Sequence, residues 1–228
     1  MPLRGSAFLA IWHDIEEQGD LEYNDWHTRE HMPERVGIPG FEAGRRFVDR
    51  SLDHHRYFTL YEAATLDVLG SAAYRARLDA PTPWTHKVQP TFTNFVRAAC
   101  RAAASEGRGT GGALATIRVD FADPARREPF AHASGPLAAA ALAHHGITSA
   151  HVGIAEPSVT RTPTAESALR ELTGEEVFDA VVLVDGIGRG EVERALPSIE
   201  AALAPALGEA STTSAVYDLA YALTAREV

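Results

Sequence analysis

The order of strand and helix patterns is the feature of this sequence that most constrains its fold. In the first part of the chain, apolar and β-branched runs alternate with stretches of helical periodicity. The predicted elements are a strand at residues 6–14, a helix at 21–36, strands at 41–49 and 56–62, a helix at 66–78 and a strand at 91–97. This βαββαβ order is that of the ferredoxin-like split unit, so we expect an α+β fold.

The same order recurs in the second part of the chain. Its predicted elements are a strand at 113–121, a helix at 124–145, strands at 147–155 and 178–184, a helix at 190–203 and a strand at 213–223. Residues 101–112 are rich in Ala, Gly, Ser and Arg, which is typical of a linker. We therefore expect two ferredoxin-like halves, at residues 1–105 and 106–228. Because each sheet would have one side covered by helices and one side open, the two sheets should face each other as a barrel within one chain.

Composition limits the kinds of function to consider. Apolar residues make up 45% of the chain and charged residues 23%, as in an ordinary soluble protein with a large core. No apolar run is long enough for a membrane span and the start lacks the apolar core of a signal peptide, so we expect a cytoplasmic protein with no membrane partner. The net charge of −10 argues against nucleic acid as a partner. A single cysteine, Cys100, excludes an internal disulfide and a thiolate-rich metal site.

The densest group of chemically active side chains lies in the first predicted helix. We expect Asp20 to be its N-cap and the Gly37-Ile38-Pro39-Gly40 run to end it. At about 100° per residue, Leu21, Met32 and Val36 share one arc, which should face the core. The opposite arc carries Tyr23, Asn24, His27, His31, Glu34 and Arg35. Two histidines and a tyrosine are unusual on a solvated face, so this arc indicates a site, although a solvated face with i,i+4 pairs stays an alternative.

Other parts of the chain add to this site or cover it. His13 ends the first predicted strand, where the chain turns toward the helix, and Tyr61 lies on the third strand. In the second half, residues 129–137 and an Ala run replace the polar arc, so we expect one site per chain. The long loop at residues 156–176 has no counterpart in the first half, and we expect it to cover a pocket as a lid.

Three spaced motifs carry a resemblance to a known family. They are Asn24-x-Trp26-x4-His31-x-Pro33-Glu34-Arg35, Ile38-Pro39-Gly40-Phe41-x4-Arg46 and Tyr57-x3-Tyr61-Glu62. Over residues 6–97 the chain resembles the EthD-like branch of the dimeric α+β barrel superfamily, and beyond that range the resemblance is topological. It implies ferredoxin-like units whose sheets close a barrel, by dimerisation or within a tandem chain. Such proteins include cofactor-free monooxygenases of polycyclic aromatics, lactone isomerases, dehydratases, polyketide cyclases and haem enzymes, so the fold does not fix the reaction.

The residue types in the polar arc suit general acid–base catalysis. Histidine titrates near neutrality, so we expect His31 to be the main acid or base, with His27, Glu34 and His13 as further catalytic groups. Arg35 is expected to hold a carboxylate or enolate oxygen. The candidate substrate-binding residues are Asn24, Trp26, Arg46 and Tyr61.

Several functions remain open from the sequence alone. The first is an enzyme, whether lyase, isomerase, cyclase or cofactor-free oxygenase, that acts on an aromatic or polyketide-like molecule. The second is a non-catalytic ligand-binding or assembly module, and the third is a haem-binding barrel that uses His13, His27 or His31. Residues 27–31 match the H-x-x-E-H string of one zinc-protease class, but a third ligand is missing. We therefore expect no metal, haem or other cofactor, a small-molecule substrate as partner, and leave a homodimer open.

Overall fold

The computed structural model describes residues 3–160, 162–170 and 176–228. Over these residues the chain forms one closed antiparallel barrel of eight strands. The strands are β1 (Ala7–Ile15), β2 (Phe41–Val48), β3 (Tyr57–Ala63), β4 (Phe92–Gly107), β5 (Ala113–Phe121), β6 (Ile147–Ala155), β7 (Ala180–Gly186) and β8 (Ala210–Thr224). Around the barrel their order is β1-β3-β2-β8-β5-β7-β6-β4. The predicted fold class, two ferredoxin-like repeats that close a barrel within one chain, is confirmed.

Helices cover the outside of the barrel. They are α1 (Asp20–Trp26), a π-helical turn (His27–His31), α2 (Met32–Val36), α3 (Ala72–Leu78), α4 (Pro83–Val88), α5 (Arg127–Ala141), α6 (Pro157–Thr160), α7 (Ala165–Ala168) and α8 (Arg189–Leu207). The first four helices pack on strands β1 to β4, and α5 and α8 pack on the sheet of the second half. Within the described ranges, no helix is both long and apolar enough to cross a membrane.

Side chains fill the barrel interior. Trp12, Phe47, Phe58 and Tyr217 are buried there, and the rings of Trp12 and Phe58 lie 4.7 Å apart. Because successive side chains of a strand point to opposite faces, His13 lies outside the barrel when Trp12 lies inside it. The barrel interior is therefore a packed core, and the predicted polar residues lie between the sheet and its helices.

One end of the barrel interior is polar. Arg45 on β2 forms ion pairs with Asp185 on β7, at 2.6 Å, and with Glu62 on β3, at 3.4 Å. Asp185 also accepts a hydrogen bond from Ser149 at 3.2 Å. Arg46, the next residue, points to the helices outside, as the alternation of a strand requires. The buried charges are tolerated because they are paired, and their pairing links the two halves of the chain.

The first helix forms over the predicted range, but its buried face differs from the prediction. Leu21, expected in the core, is 85% exposed, whereas Tyr23 is fully buried. The π turn inserts one extra residue into the helix and so shifts the helical phase of the residues after it. Asp20 is the first helical residue rather than the N-cap, and its carboxylate accepts a hydrogen bond from the Tyr57 hydroxyl. We call α1, the π turn and α2 together the N-terminal helix.

Two elements between β3 and β4 also differ from the prediction. The helix expected at residues 66–78 is divided into a 3-10 helix (Leu66–Gly70) and α3, because Ser71 is extended and its hydroxyl accepts a backbone N–H of α3. No element was predicted between residues 78 and 91, yet α4 begins at Pro83. Thr82 caps that helix, and proline is favoured at a first helical position.

The predicted linker at residues 101–112 is mostly strand. Strand β4 continues to Gly107 and pairs with β6 along its second part. Its small side chains let α5 approach, and Ala103 and Ala104 pack against the core of the second half. The predicted boundary between residues 105 and 106 therefore lies within β4, while the division of the chain into two halves stays a prediction.

Candidate functional site

A small buried cavity lies between the N-terminal helix and the outer face of the first sheet. The residues that line it include five predicted site residues, namely His13, His27, His31, Arg35 and Tyr61. Its volume is about 30 Å³, which is room for about one water molecule. We call it the histidine cavity. The polar arc thus faces the sheet instead of the solvent.

His27 and His31 form a pair of neutral imidazoles in this cavity. Their ring centroids lie 5.5 Å apart and both rings are buried. Burial lowers the pKa of each ring well below its ordinary value, and the charges of Arg46 near His27 and of Arg35 near His31 lower it further. Among the described residues, Nδ1 of each ring has no hydrogen-bond partner. A polar group of a bound molecule would satisfy these nitrogens, which otherwise cost about 1–3 kcal/mol each.

Two tyrosine hydroxyls contact the histidines. The hydroxyl of Tyr61 lies 3.4 Å from Nε2 of His27, and that of Tyr23 lies 3.1 Å from Nε2 of His13. Burial lowers the pKa of His13 to about 3 and raises the pKa of both tyrosines. All five rings are therefore uncharged near neutral pH, and the hydroxyls are available as hydrogen-bond donors.

Arg35 supplies a positive charge beside the imidazoles. Its Nη1 donates to Glu34 Oε2 at 3.0 Å and its Nη2 donates to Glu166. Burial alone would lower the pKa of Arg35, but the nearby carboxylates, Glu166 first, hold it above its usual value. Glu166 also accepts a hydrogen bond from Gln89 Nε2 at 3.3 Å. The cavity therefore contains a permanent cation bound to a carboxylate.

The carboxylate of Glu166 comes from the loop that we predicted to cover a pocket. Residues 162–170, which we call the lid segment, contain α7 and bring Glu166 and Arg170 to the histidine cavity. Thr164 and Ser167 form a capping box that fixes the start of α7. Residues 161 and 171–175 of the predicted loop lie outside the described residues. The opening and closing of this segment stays a prediction.

The other four predicted site residues lie around the histidine cavity, but they are not among the described residues that line it. They are Asn24, Trp26, Glu34 and Arg46. Glu34 accepts from Arg35 and from Arg77. Trp26 packs its ring 4.1 Å from that of His31. Arg46 donates to the carbonyl of Asn24 at 3.3 Å, which holds the N-terminal helix on the sheet. Their predicted roles in catalysis or substrate binding stay predictions.

The sequence analysis missed several polar residues of the cavity. They are Thr59, Gln89, Arg97, Glu166 and Arg170. Four of them lie on later elements, and no spacing in the sequence connects those elements to the polar arc. The only local signal was Thr164 followed three residues later by Ser167, a pattern typical of a helix start. This pattern predicts the start of α7 but not the residues that α7 contacts.

A larger cavity adjoins the histidine cavity. Its volume is about 430 Å³, within the range of about 300–1,000 Å³ that is common for small-molecule sites. We call it the outer cavity. Its apolar lining comes mainly from Leu66, Leu69 and Val159, and Tyr74 and Arg97 line both cavities. The two cavities are therefore neighbours across Tyr74 and Arg97.

The described residues do not fit a haem or a metal ion. No group of three or more His, Cys, Asp and Glu side chains in the described ranges is arranged to hold a metal. The histidine cavity is far too small for a porphyrin, and no histidine is among the described residues that line the outer cavity. The predicted alternative of a haem-binding barrel therefore has no support from this geometry.

Comparisons with known proteins bear on the fold. No family model matches the sequence, and no curated protein is significantly similar to it. An anthrone oxidase-like protein superposes with a TM-score of 0.66 at 11% identity, over 99% of this chain and 96% of its own. The chain shares the α+β barrel fold of that protein.

Other proteins with this barrel are equally distant in sequence. A proposed monooxygenase from Fusobacterium nucleatum superposes with a TM-score of 0.59 at 10% identity, over 97% of this chain and 96% of its own. A chlorite dismutase from Candidatus Nitrospira defluvii superposes with a TM-score of 0.53 at 9% identity, over 96% and 92%. At such identities the similarity of the α+β barrels shows the fold and not the reaction.

Proposed function

We propose that this α+β barrel protein is an enzyme that transfers protons on a small aromatic or polyketide-like molecule by His and Glu acid–base chemistry. The observation that carries the proposal is the histidine cavity, where two neutral imidazoles with unpartnered nitrogens lie beside the charge of Arg35. Membership of the EthD-like branch is part of the proposal and rests on the three sequence motifs. The proposed reaction classes remain lyase, isomerase, cyclase and cofactor-free oxygenase.

The low pKa of the histidines determines which protons they can remove. A neutral imidazole is ready to accept a proton, but a low pKa makes it a weak base. It therefore suits an acidic C–H or O–H whose anion is delocalised over aromatic rings. In this mechanism His31 accepts the proton, and Arg35 stabilises the negative charge on the substrate oxygen. The proton held by His31 then returns to another atom of the substrate, directly or through His27, whose ring centroid lies 5.5 Å from that of His31.

The outer cavity supplies room for the body of such a substrate. Its leucines and valine suit an aromatic ring system, and in this proposal a substrate bound there extends past Tyr74 toward His31. The similarity to an anthrone oxidase-like protein suggests a test molecule. Anthrone is an aromatic ketone whose central methylene is acidic, because its anion is an enolate conjugated with two rings.

Turnover of anthrone and of a carboxylated anthrone tests this proposal. The wild-type protein should convert at least one of them, and His31→Gln should reduce the rate by about 10²–10⁴-fold, as expected for loss of a general base. His86→Gln is the matched control, because His86 is exposed and lies on α4. If His31→Gln and wild type show the same rate, His31 is not the base. Ligand binding without any turnover would favour the non-catalytic binding module.

A further inference from the structure

Arg35 is a buried cation that always needs an anion beside it. It is 2% exposed, and an arginine does not lose its proton under physiological conditions. Its two partners are Glu34, the preceding residue, and Glu166 in the lid segment. Glu34 is shared with Arg77, and Glu166 also lies 3.7 Å from Arg170. Because Glu166 lines the histidine cavity and Glu34 does not, Glu166 is the partner on the cavity side of Arg35.

Glu166 also occupies the space that a ligand would need. It lines the histidine cavity, whereas Glu34 does not, and the remaining volume of about 30 Å³ holds no organic molecule. A substrate that binds Arg35 from the cavity side would take the place of the Glu166 carboxylate. A neutral molecule in that place leaves the positive charge of Arg35 incompletely neutralised. The free-energy cost of such a buried charge is large.

We propose that the site selects aromatic molecules that are already anions when they bind, and that the ligand's carboxylate or phenolate replaces the Glu166 carboxylate on Arg35. The inference rests on the proposed function for the location of the site. Gln89 supports it, because its Nε2 now donates to Glu166 and would donate to a ligand oxyanion at the same place. The Glu166 carboxylate of the lid segment thus occupies the position that the carboxylate or phenolate of the ligand would take.

Binding of 2-naphthoate and of its neutral amide, 2-naphthamide, tests the inference by calorimetry. The two molecules have nearly the same shape and differ in charge. We expect the wild-type protein to bind naphthoate at least about tenfold more tightly, the factor that one charge-assisted hydrogen bond supplies. Neither molecule has an acidic C–H like that of anthrone, so the experiment measures binding alone.

Two variants separate this inference from a purely structural role of Glu166. Glu166→Gln removes the internal competitor, so we expect naphthoate to bind about tenfold more tightly than to wild type. Glu156→Gln is the control, because Glu156 lies in the same loop and pairs with Arg101 instead, at 3.6 Å. The double variant Arg35→Gln/Glu166→Gln removes both members of this ion pair, and Arg170, the other cation near Glu166 at 3.7 Å, keeps its hydrogen bond to Gln89. The variant should therefore fold and lose the preference for naphthoate.

Three results would overturn the inference: equal binding of naphthoate and naphthamide, binding of neither, or weaker naphthoate binding by Glu166→Gln. These outcomes are distinct from failure of the proposed function. Anion-selective binding without turnover of any anthrone would end the enzymatic proposal and leave the inference standing. Equal turnover of neutral and carboxylated anthrone, with no anion preference in binding, would overturn the inference and leave the enzymatic proposal standing.

Discussion

At the scale of single residues, the chemistry of the site depends on the burial of His13, His27 and His31. Each ring would be partly protonated in water near pH 6.5, but the low-polarity surroundings favour the uncharged form. Burial therefore makes these histidines available as hydrogen-bond and proton acceptors, and it also makes the protein sensitive to acid.

Stability should fall steeply as the pH drops from about 6 to 4. In this window the unfolded chain protonates these histidines and the folded chain does not, because burial lowers their pKa in the folded state. Each such histidine lowers the free energy of unfolding by about 1.4 kcal/mol per pH unit, so the three together contribute about 4 kcal/mol per pH unit. Urea unfolding at several pH values measures this slope.

The variant His31→Gln provides the comparison. Its slope should be smaller than that of wild type by about 1.4 kcal/mol per pH unit, whereas His86→Gln, at an exposed position, should leave the slope unchanged. The same slope in wild type and His31→Gln would mean that His31 is protonated to the same extent in the folded and the unfolded protein. That result would contradict a His31 pKa lowered by burial.

The sequence predicted the residues of the N-terminal helix better than their surroundings. Five of the nine candidate site residues line the histidine cavity. Three of them, His27, His31 and Arg35, belong to a dense polar arc on one helix, which keeps its members close together whatever it packs against. Glu166 was not predictable, since it lies 131 residues after Arg35 and nothing local indicates that contact. The sequence left open whether the arc faces a cavity or the solvent, because hydropathy alone assigns histidine and arginine to solvent.

At the scale of elements, the π turn and α7 determine the site. The π turn places the last residues of the N-terminal helix on the sheet, and α7 places Glu166 over the cavity. Local signals predicted most elements, including the ranges of β5 and β6. They failed for β4, where a run of small residues resembles a linker but pairs with β6 and packs under α5.

Removal of the α7 cap should loosen the lid segment. Loss of an N-cap hydroxyl costs about 1 kcal/mol, so Thr164→Ala should increase local opening and speed amide exchange in α7 by about fivefold. The exchange of barrel amides should not change. Asp123→Ala, which removes the cap of the 3-10 turn at Pro124–Arg126, should leave α7 unaffected. Unchanged exchange in α7 of the Thr164 variant would contradict the role of this cap.

At the scale of the whole molecule, the barrel closes along two seams between its halves. Strand β2 pairs with β8 and β4 pairs with β6, and the ion pair of Arg45 and Asp185 crosses between the same halves. Strand order and repetition predicted this closure, because two sheets with one uncovered face each have few other ways to bury it. The same patterns contain no information about substrate.

Separation of the halves should therefore expose two unpaired strand edges. We expect residues 1–109 to dimerise or aggregate when expressed alone, because the cut leaves β2 without β8 and β4 without β6 along one edge each. The cut follows Gly109, which lies in an open loop after β4. Co-expression with residues 110–228 should restore a one-to-one complex. Light scattering measures both states, and a well-behaved monomer of the first fragment would count against a barrel that depends on both halves.

The central claim is that the histidine cavity removes an acidic proton from an aromatic substrate. Its most direct test is deuterium exchange into the methylene of carboxylated anthrone, monitored by NMR in D₂O without oxygen, because exchange reports proton removal and no later step. We predict that wild-type protein accelerates the exchange, that His31→Gln slows it by about 10²–10⁴-fold, and that His86→Gln behaves as wild type. Exchange at the uncatalysed rate with wild-type protein, or equal rates with wild type and His31→Gln, would contradict this claim.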